Sequence, residues 1–371
     1  MSGRVLFVAN EALEPALNGG RRRMVALVGA LSHQFEVTVV APGPPSAGRH
    51  QGRAARLGST VRMRPRLSSL LDGDVRRRYE VASARPGVAF TFVSHSYLVP
   101  ALPGTGGPLV VDFPNIEQDR QRSVAGQRKG PRRAVARVEA LKAAYWEPAV
   151  ARRATLCLCI SDADAVVVRA WGGTAVVAPN SAERCCAYHA SPRNGFALFL
   201  GDLRYQPNRK AADRLLRSVW PRILAARPQS RLVLAGRGSE ALRVPADLVA
   251  SVDCLGYVAS VHDCYAGAAL VVNLVDSGGG SQLKMAEAFA HGRAVVTTPY
   301  GAAQVDPLPR RQLETAGDAD AQAAAVVRLL DGEDLRRSHE RRLFDLATSW
   351  DDQLRPAMDA LSARLSSQVR G

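Results

Sequence analysis

Residues 276–292 read Asp-Ser-Gly-Gly-Gly-Ser-Gln-Leu-Lys-Met-Ala-Glu-Ala-Phe-Ala-His-Gly, and the apolar run "ALVVNLV" precedes them. The pattern is strand, glycine turn, helix. Free N–H groups at a helix start and the positive end of its dipole attract an anion, and glycine lets a phosphate approach the backbone. Lys284 adds a full positive charge early in that helix, and Glu287 falls on the same face because i and i+3 are neighbours. A carboxylate beside a phosphate is repelled unless it meets a hydroxyl pair such as that of a ribose. Phosphate on the glycines and Lys284, with ribose on Glu287, describes a nucleotide. Spacing alone fits a solubilising Lys/Glu pair equally well.

Short apolar runs alternate with helical periodicity from end to end, the signature of parallel α/β architecture. In the first half, strands are expected at 4–10, 36–42, 88–94, 108–113, 154–161 and 174–180. A helix through Met24, Leu27, Val28 and Leu31 (i, i+3, i+4, i+7) follows the first of them. Residues 181–195, "SAERCCAYHASPRNG", carry no periodicity and read as a linker. The pattern then restarts with strands at 196–201, 230–236, 252–258, 269–275 and 293–301, a helix at 209–226, and an amphipathic helix at 349–365. With 371 residues, two domains are expected: 1–182 with the closing helix 349–371, and 183–348. Two such units normally bind a ligand in a cleft at the carboxyl ends of their strands.

A hydrophobic content of 47% with 22% charged residues is that of a globular protein, and no apolar run approaches the roughly 18 residues that span a bilayer. Residues 4–10 lack the basic segment and long apolar core of a signal peptide, so the chain is expected in the cytoplasm. The six cysteines match no zinc-knuckle spacing; Cys157 and Cys159 share one side of an apolar strand and read as buried thiols. The net charge is +15, and basic residues gather at 120–153: Arg120, Arg122, Arg128, Lys129, Arg132, Arg133, Arg137, Lys142, Arg152 and Arg153. They read as a solvated helical face or as a peripheral contact with anionic lipid. Nucleic acid is disfavoured, because only Tyr145 and Trp146 accompany the charges and no stacking platform is evident.

The stretch "GSQLKMAEAFAHGRAVVTTPYGA" resembles the signature of family 4 glycosyltransferases. "FLGDLRYQPNRKAADRLLRSVWPRI", "RLVLAGRGS", "CLGYVASVHDCYAGAALVVN", "NGGRRRMVALVGALSHQFEVTVVAPG", "VAPNS" and "SWDDQL" are similar to further segments of that family, in its order. The resemblance implies the GT-B fold, two Rossmann-like α/β domains facing a central cleft. It also implies retaining transfer of a sugar from a nucleotide-diphosphate donor to a hydroxyl acceptor: a natural product, a lipid-linked acceptor or a polysaccharide. No metal and no cofactor beyond the nucleotide-sugar co-substrate is implied. It places Gly19 and Gly20 in a loop facing the donor diphosphate with Arg23 behind. Lys284 and the N–H groups of Gly280 and Ser281 would hold the diphosphate, Glu287 the ribose, and the backbone at Tyr257 and Val258 would flank the base. His95 and Asp112 match positions near the transferred sugar, with Glu117 beside them. The family's usual arginine and lysine after "FLG" correspond here to Asp202 and Pro207, its loop glutamate to Gly279 and its loop arginine to Gln282. Arg204 or Arg209 is then the substitute cation. His262 and His291 fall in family segments without a catalytic part. Two other readings stay open: a nucleotide-sugar epimerase of the same fold, using His95, Asp112 and Glu117 as acid and base, and a non-catalytic relative acting as a binding partner. A dehydrogenase is disfavoured, since no Gly-x-Gly-x-x-Gly follows "VLFVAN".

Overall fold

The computed structural model describes residues 3–14, 19–42, 65, 71, 73–105, 107–278, 283–305 and 307–369. The chain divides into two compact units, one of residues 1–179 and 351–371, the other of residues 180–350.

Among the described residues, the first unit has a six-stranded parallel sheet: β1 (Arg4–Val8), β2 (Glu36–Val40), β3 (Val88–Val93), β4 (Leu109–Phe113), β5 (Leu156–Cys159) and β6 (Ala175–Val177), in the order β2-β1-β3-β4-β5-β6. The central strands are continuous apolar runs because helices cover both faces, and Val5, Leu6, Phe7 and Val8 are fully buried. Helix α1 (Gly19–Ser32) packs through Met24, Leu27 and Leu31. Helices α2 (Gly73–Ser83), α3 (Glu117–Gln127), α4 (Gly130–Arg153) and α5 (Asp162–Ala170) follow, and the closing helix Trp350–Val369 buries Leu354, Ala357 and Leu361. Cys157 and Cys159 are buried in β5, as their spacing predicts.

Helix α3 has Ile116 at its N-cap, a side chain that cannot cap. The fully buried Glu147 of α4 does so from outside: its Oε1 accepts from the Glu117 N–H at 2.8 Å and its Oε2 from the Gln118 N–H at 2.9 Å. Glu147→Ala strands both donors and is expected to destabilise the first unit by about 1–3 kcal/mol, measured by denaturant unfolding. An unchanged midpoint would show that the cap contributes nothing.

Among its described residues the second unit also has a six-stranded parallel sheet. Its strands are β7 (Phe196–Leu200), β8 (Leu232–Ala235), β9 (Val252–Gly256), β10 (Ala268–Asn273), β11 (Ala294–Thr297) and β12 (Glu314–Thr315), in the order β9-β8-β7-β10-β11-β12. Its helices include α6 (Gln206–Arg214), α7 (Trp220–Ala226), α8 (Val261–Gly267) and α9 (Leu283–Ala290). The core on one face is built from Leu215, Leu216, Trp220, Ile223, Val326 and Leu329. In each sheet the strand order reverses once, between β1 and β3 and between β7 and β10. In open α/β sheets ligands bind at such reversals, at the carboxyl ends of the strands.

Candidate functional site

In the second unit Lys284, on α9, stands beside the end of β7 at the β7/β10 reversal. Its Nζ donates to Asn208 Oδ1 at 2.9 Å and lies 5.3 Å from the centre of the Phe199 ring. Asn208, in the first turn of α6, is itself oriented by donating its amide to the Asp202 carbonyl at 3.0 Å. Gly201 ends β7 against this pair; a Cβ there would come 3.0 Å from the Asn208 amide nitrogen and 3.3 Å from Lys284 Nζ. The ammonium therefore has apolar, amide and backbone neighbours. Burial lowers its pKa to about 8, against the opposing pull of Glu287.

Glu287 lies one turn further along α9 and is 5% exposed. The hydroxyl of the fully buried Tyr265, on α8, lies 3.0 Å from Glu287 Oε2 and 3.1 Å from the Lys284 carbonyl oxygen, fixing both the carboxylate and the first turn of α9. Gly280 and Ser281 lie outside the described residues, as do Gly279 and Gln282. Tyr257 and Val258 follow β9. The Tyr257 ring is half exposed with the Arg237 guanidinium 5.1 Å over its centre, and Val258 packs on the core. The two candidate substitute cations each carry an exposed ion pair. Arg204 is exposed and forks onto Asp202 at 2.9 and 2.5 Å, and Arg209 pairs with Asp213 at 3.7 Å.

In the first unit, Gly19 and Gly20 open α1 after the β1 loop. Arg23, one turn on, points inward: Nε donates to Asp112 Oδ2 at 2.8 Å and Nη2 to Oδ1 at 2.6 Å, while Nη1 reaches the Ala178 carbonyl at 2.8 Å. Both side chains are buried, at 3% and 1% exposure. The two groups read from the sequence as facing donor and sugar are thus bound to each other. They tie the start of α1 to the ends of β4 and β6. His95 follows β3 at the strand-order reversal, with Nδ1 3.0 Å from Ser94 Oγ and its ring against Tyr97. Burial, aided by the charges of Arg120 and Arg23, lowers its pKa to about 3, so the imidazole is neutral at pH 7. Glu117 is buried and chelated by Arg120.

Asn208 and Tyr265 are the site residues that pattern reading passes over. Asn208 falls in the noticed Pro-Asn pair, but nothing there signals that its amide meets a lysine 76 positions away.

Residues 195–332 match the family model described as "Glycosyl transferases group 1". A search of curated protein sequences found no match. Solved structures share the fold along nearly the whole chain. Sucrose-phosphate synthase from Thermosynechococcus elongatus superposes with a TM-score of 0.67 at 16% identity, covering 99% of this chain and 100% of the other. HepE of Anabaena, solved with UDP and glucose, gives 0.61 at 15% identity, covering 97% and 100%. WaaG, a glycosyltransferase involved in lipopolysaccharide biosynthesis, gives 0.61 at 13% identity, covering 96% and 98%. Residues 195–332 thus resemble the Glycosyl transferases group 1 family, within a chain that has the two-unit GT-B fold of these solved structures.

Proposed function

We propose that the chain is a retaining, metal-independent glycosyltransferase that moves a sugar from a UDP-sugar to a hydroxyl acceptor, either a small natural product or a glycan. One observation carries the reading. The strand-order reversal of the second unit holds a partly desolvated lysine, and one turn along the same helix a carboxylate is oriented by a buried tyrosine. Breaking a sugar–phosphate bond leaves charge on the departing nucleoside diphosphate. A fixed ammonium stabilises that charge more than it stabilises the ground state. Glu287, repelled by phosphate, suits the ribose hydroxyls. UDP is the nucleotide to test first, because HepE was solved with UDP and with UDP-glucose. The acceptor proton passes to a donor phosphate oxygen, so no protein base is required. That agrees with the first unit: His95 is held neutral, and Asp112 is saturated by Arg23. The same two facts weigh against the epimerase, which needs these groups to exchange protons. Turnover of a UDP-sugar panel with mixed acceptors, read by proton NMR for the anomeric configuration of the product, tests the reading; donor epimerisation without an acceptor would overturn it.

The ammonium also sets a pH dependence. A diphosphate needs Lys284 protonated, and its pKa in the free chain is about 8. Below that value binding takes up no proton at this residue. Above it each binding event must take one up, so UDP affinity falls towards tenfold per pH unit between about 8 and 9.5. Calorimetric titrations across that range check it; a flat profile excludes Lys284 as the cation.

Helix α4 supports a membrane contact. Val138, Leu141 and Tyr145 recur at i, i+3 and i+7 and stay exposed, Leu141 at 71% and Tyr145 at 72%. Exposed Arg133 and Arg137 flank them, whereas Lys142 points inward onto Glu139. An apolar stripe edged by arginine fits the headgroup boundary of an anionic bilayer. Sedimentation with phosphatidylglycerol vesicles should retain the chain, and Leu141→Asp with Tyr145→Asp should release it. Equal retention of both proteins would exclude the stripe.

A further inference from the structure

Among the described residues, Cys185, His262 and His291 bring their ligating atoms within 4.8 Å of one another. They come from three separate segments: the stretch entering the second unit, the first turn of α8, and the residue just past α9. The backbone already ties two of these together, the Cys185 N–H donating to the Ala290 carbonyl at 3.3 Å. His262 Nδ1 lies 3.1 Å from His291 Nε2. His291 Nδ1 is 2.7 Å from the Glu287 carbonyl oxygen, which can only accept, so Nδ1 carries the hydrogen and Nε2 presents its lone pair to the cluster. Carbonyl anchoring of the far nitrogen is how metal-binding imidazoles are usually oriented. The ring is held further by stacking on Tyr265 at 4.7 Å.

We infer that Cys185, His262 and His291 bind a zinc-class divalent ion that fastens the entry segment of the second unit to α8 and α9. Zinc bonds of 2.0–2.1 Å to nitrogen and about 2.3 Å to sulfur set neighbouring ligand atoms roughly 3.3–3.6 Å apart, within reach of rotamer shifts here. Two imidazoles and a thiolate select zinc, cobalt or copper over magnesium and calcium, which take oxygen. Binding removes the thiol proton of Cys185, His262 turns its hydrogen to Nε2, and a water completes four-coordination. The cluster adjoins the candidate nucleotide site through His291, Tyr265 and Glu287, but its three ligands supply no group to the transfer. Spacings of 77 and 29 residues match no sequence motif, which hid the cluster.

The metal-stripped full chain, titrated with Co2+ and followed by absorption, tests the site. One ion per chain is expected, with a thiolate-to-cobalt charge-transfer band that zinc abolishes by displacement. Cys185→Ser should lose the band while Cys186→Ser, its exposed neighbour, keeps it. His262→Ala, at an exposed position, should weaken binding at least tenfold without disturbing the fold. Zinc should raise the thermal midpoint of the parent chain and not that of Cys185→Ser. Absence of the band from the parent chain, its loss on Cys186→Ser instead, or unchanged affinity in His262→Ala would overturn the inference.

Discussion

Replacing Lys284 by alanine should reduce turnover of a UDP-sugar by about 10²–10³-fold, the usual loss when one preorganised donor to developing charge is removed. The loss should fall mainly on kcat, because the ammonium meets more charge in the transition state than in the bound donor. The magnitude follows from the neighbours. Arg204 and Arg209 hold exposed pairs with Asp202 and Asp213, whereas Lys284 is fixed on Asn208 beside the β7/β10 reversal. Lys284→Arg should recover little, since the contacts with Asn208 and the Phe199 ring are set for a compact ammonium rather than a planar guanidinium. Steady-state kinetics on the three proteins decides the matter. Full activity in Lys284→Ala would remove this residue from the mechanism.

The second large effect concerns stability. Asp112→Ala leaves the Arg23 guanidinium buried without its carboxylate, and the first unit should lose about 3–5 kcal/mol. Arg23→Met combined with Asp112→Leu should recover much of that loss, because the penalty comes from the orphaned charge rather than from the missing attraction. Denaturant unfolding of Arg23→Met, Asp112→Leu and the double variant measures the coupling. Additive losses would mean that the pair is not a unit. If the double variant folds and still turns over donor, Asp112 is a positioning residue; if it folds and is dead, one of the two touches substrate.

Sequence pattern reached the frame further than it reached the site. Buried parallel strands need unbroken apolar runs, and those runs are what "VLFVAN" or "ALVVNLV" display. The one described strand that pattern missed, β12, is two residues at a sheet edge with a threonine as its only β-former, too short to leave a period. The helix expected at 209–226 begins at Gln206 and widens into a π-turn over Leu215–Val219. Pro221, just beyond, has no N–H to continue the ladder, and such turns form where it breaks. Lys284 and Glu287 were legible because a helix converts spacing of three into one face. Arg23 with Asp112, Asn208 with Lys284, and Cys185 with two histidines were not, because strand order, not spacing, brings them together. The basic stretch 120–153 shows the same limit. Composition counts Lys142 as a surface charge, but the helix turns it inward and exposes Leu141.

Under the proposed function the donor diphosphate binds at Lys284, beside the β7/β10 reversal. A crystal structure of the chain with UDP tests it most directly. A β-phosphate oxygen is expected about 2.7–3.0 Å from Lys284 Nζ, with the ribose hydroxyls on Glu287. UDP bound with its phosphates away from Lys284, or no UDP at all at saturating concentration, would contradict it.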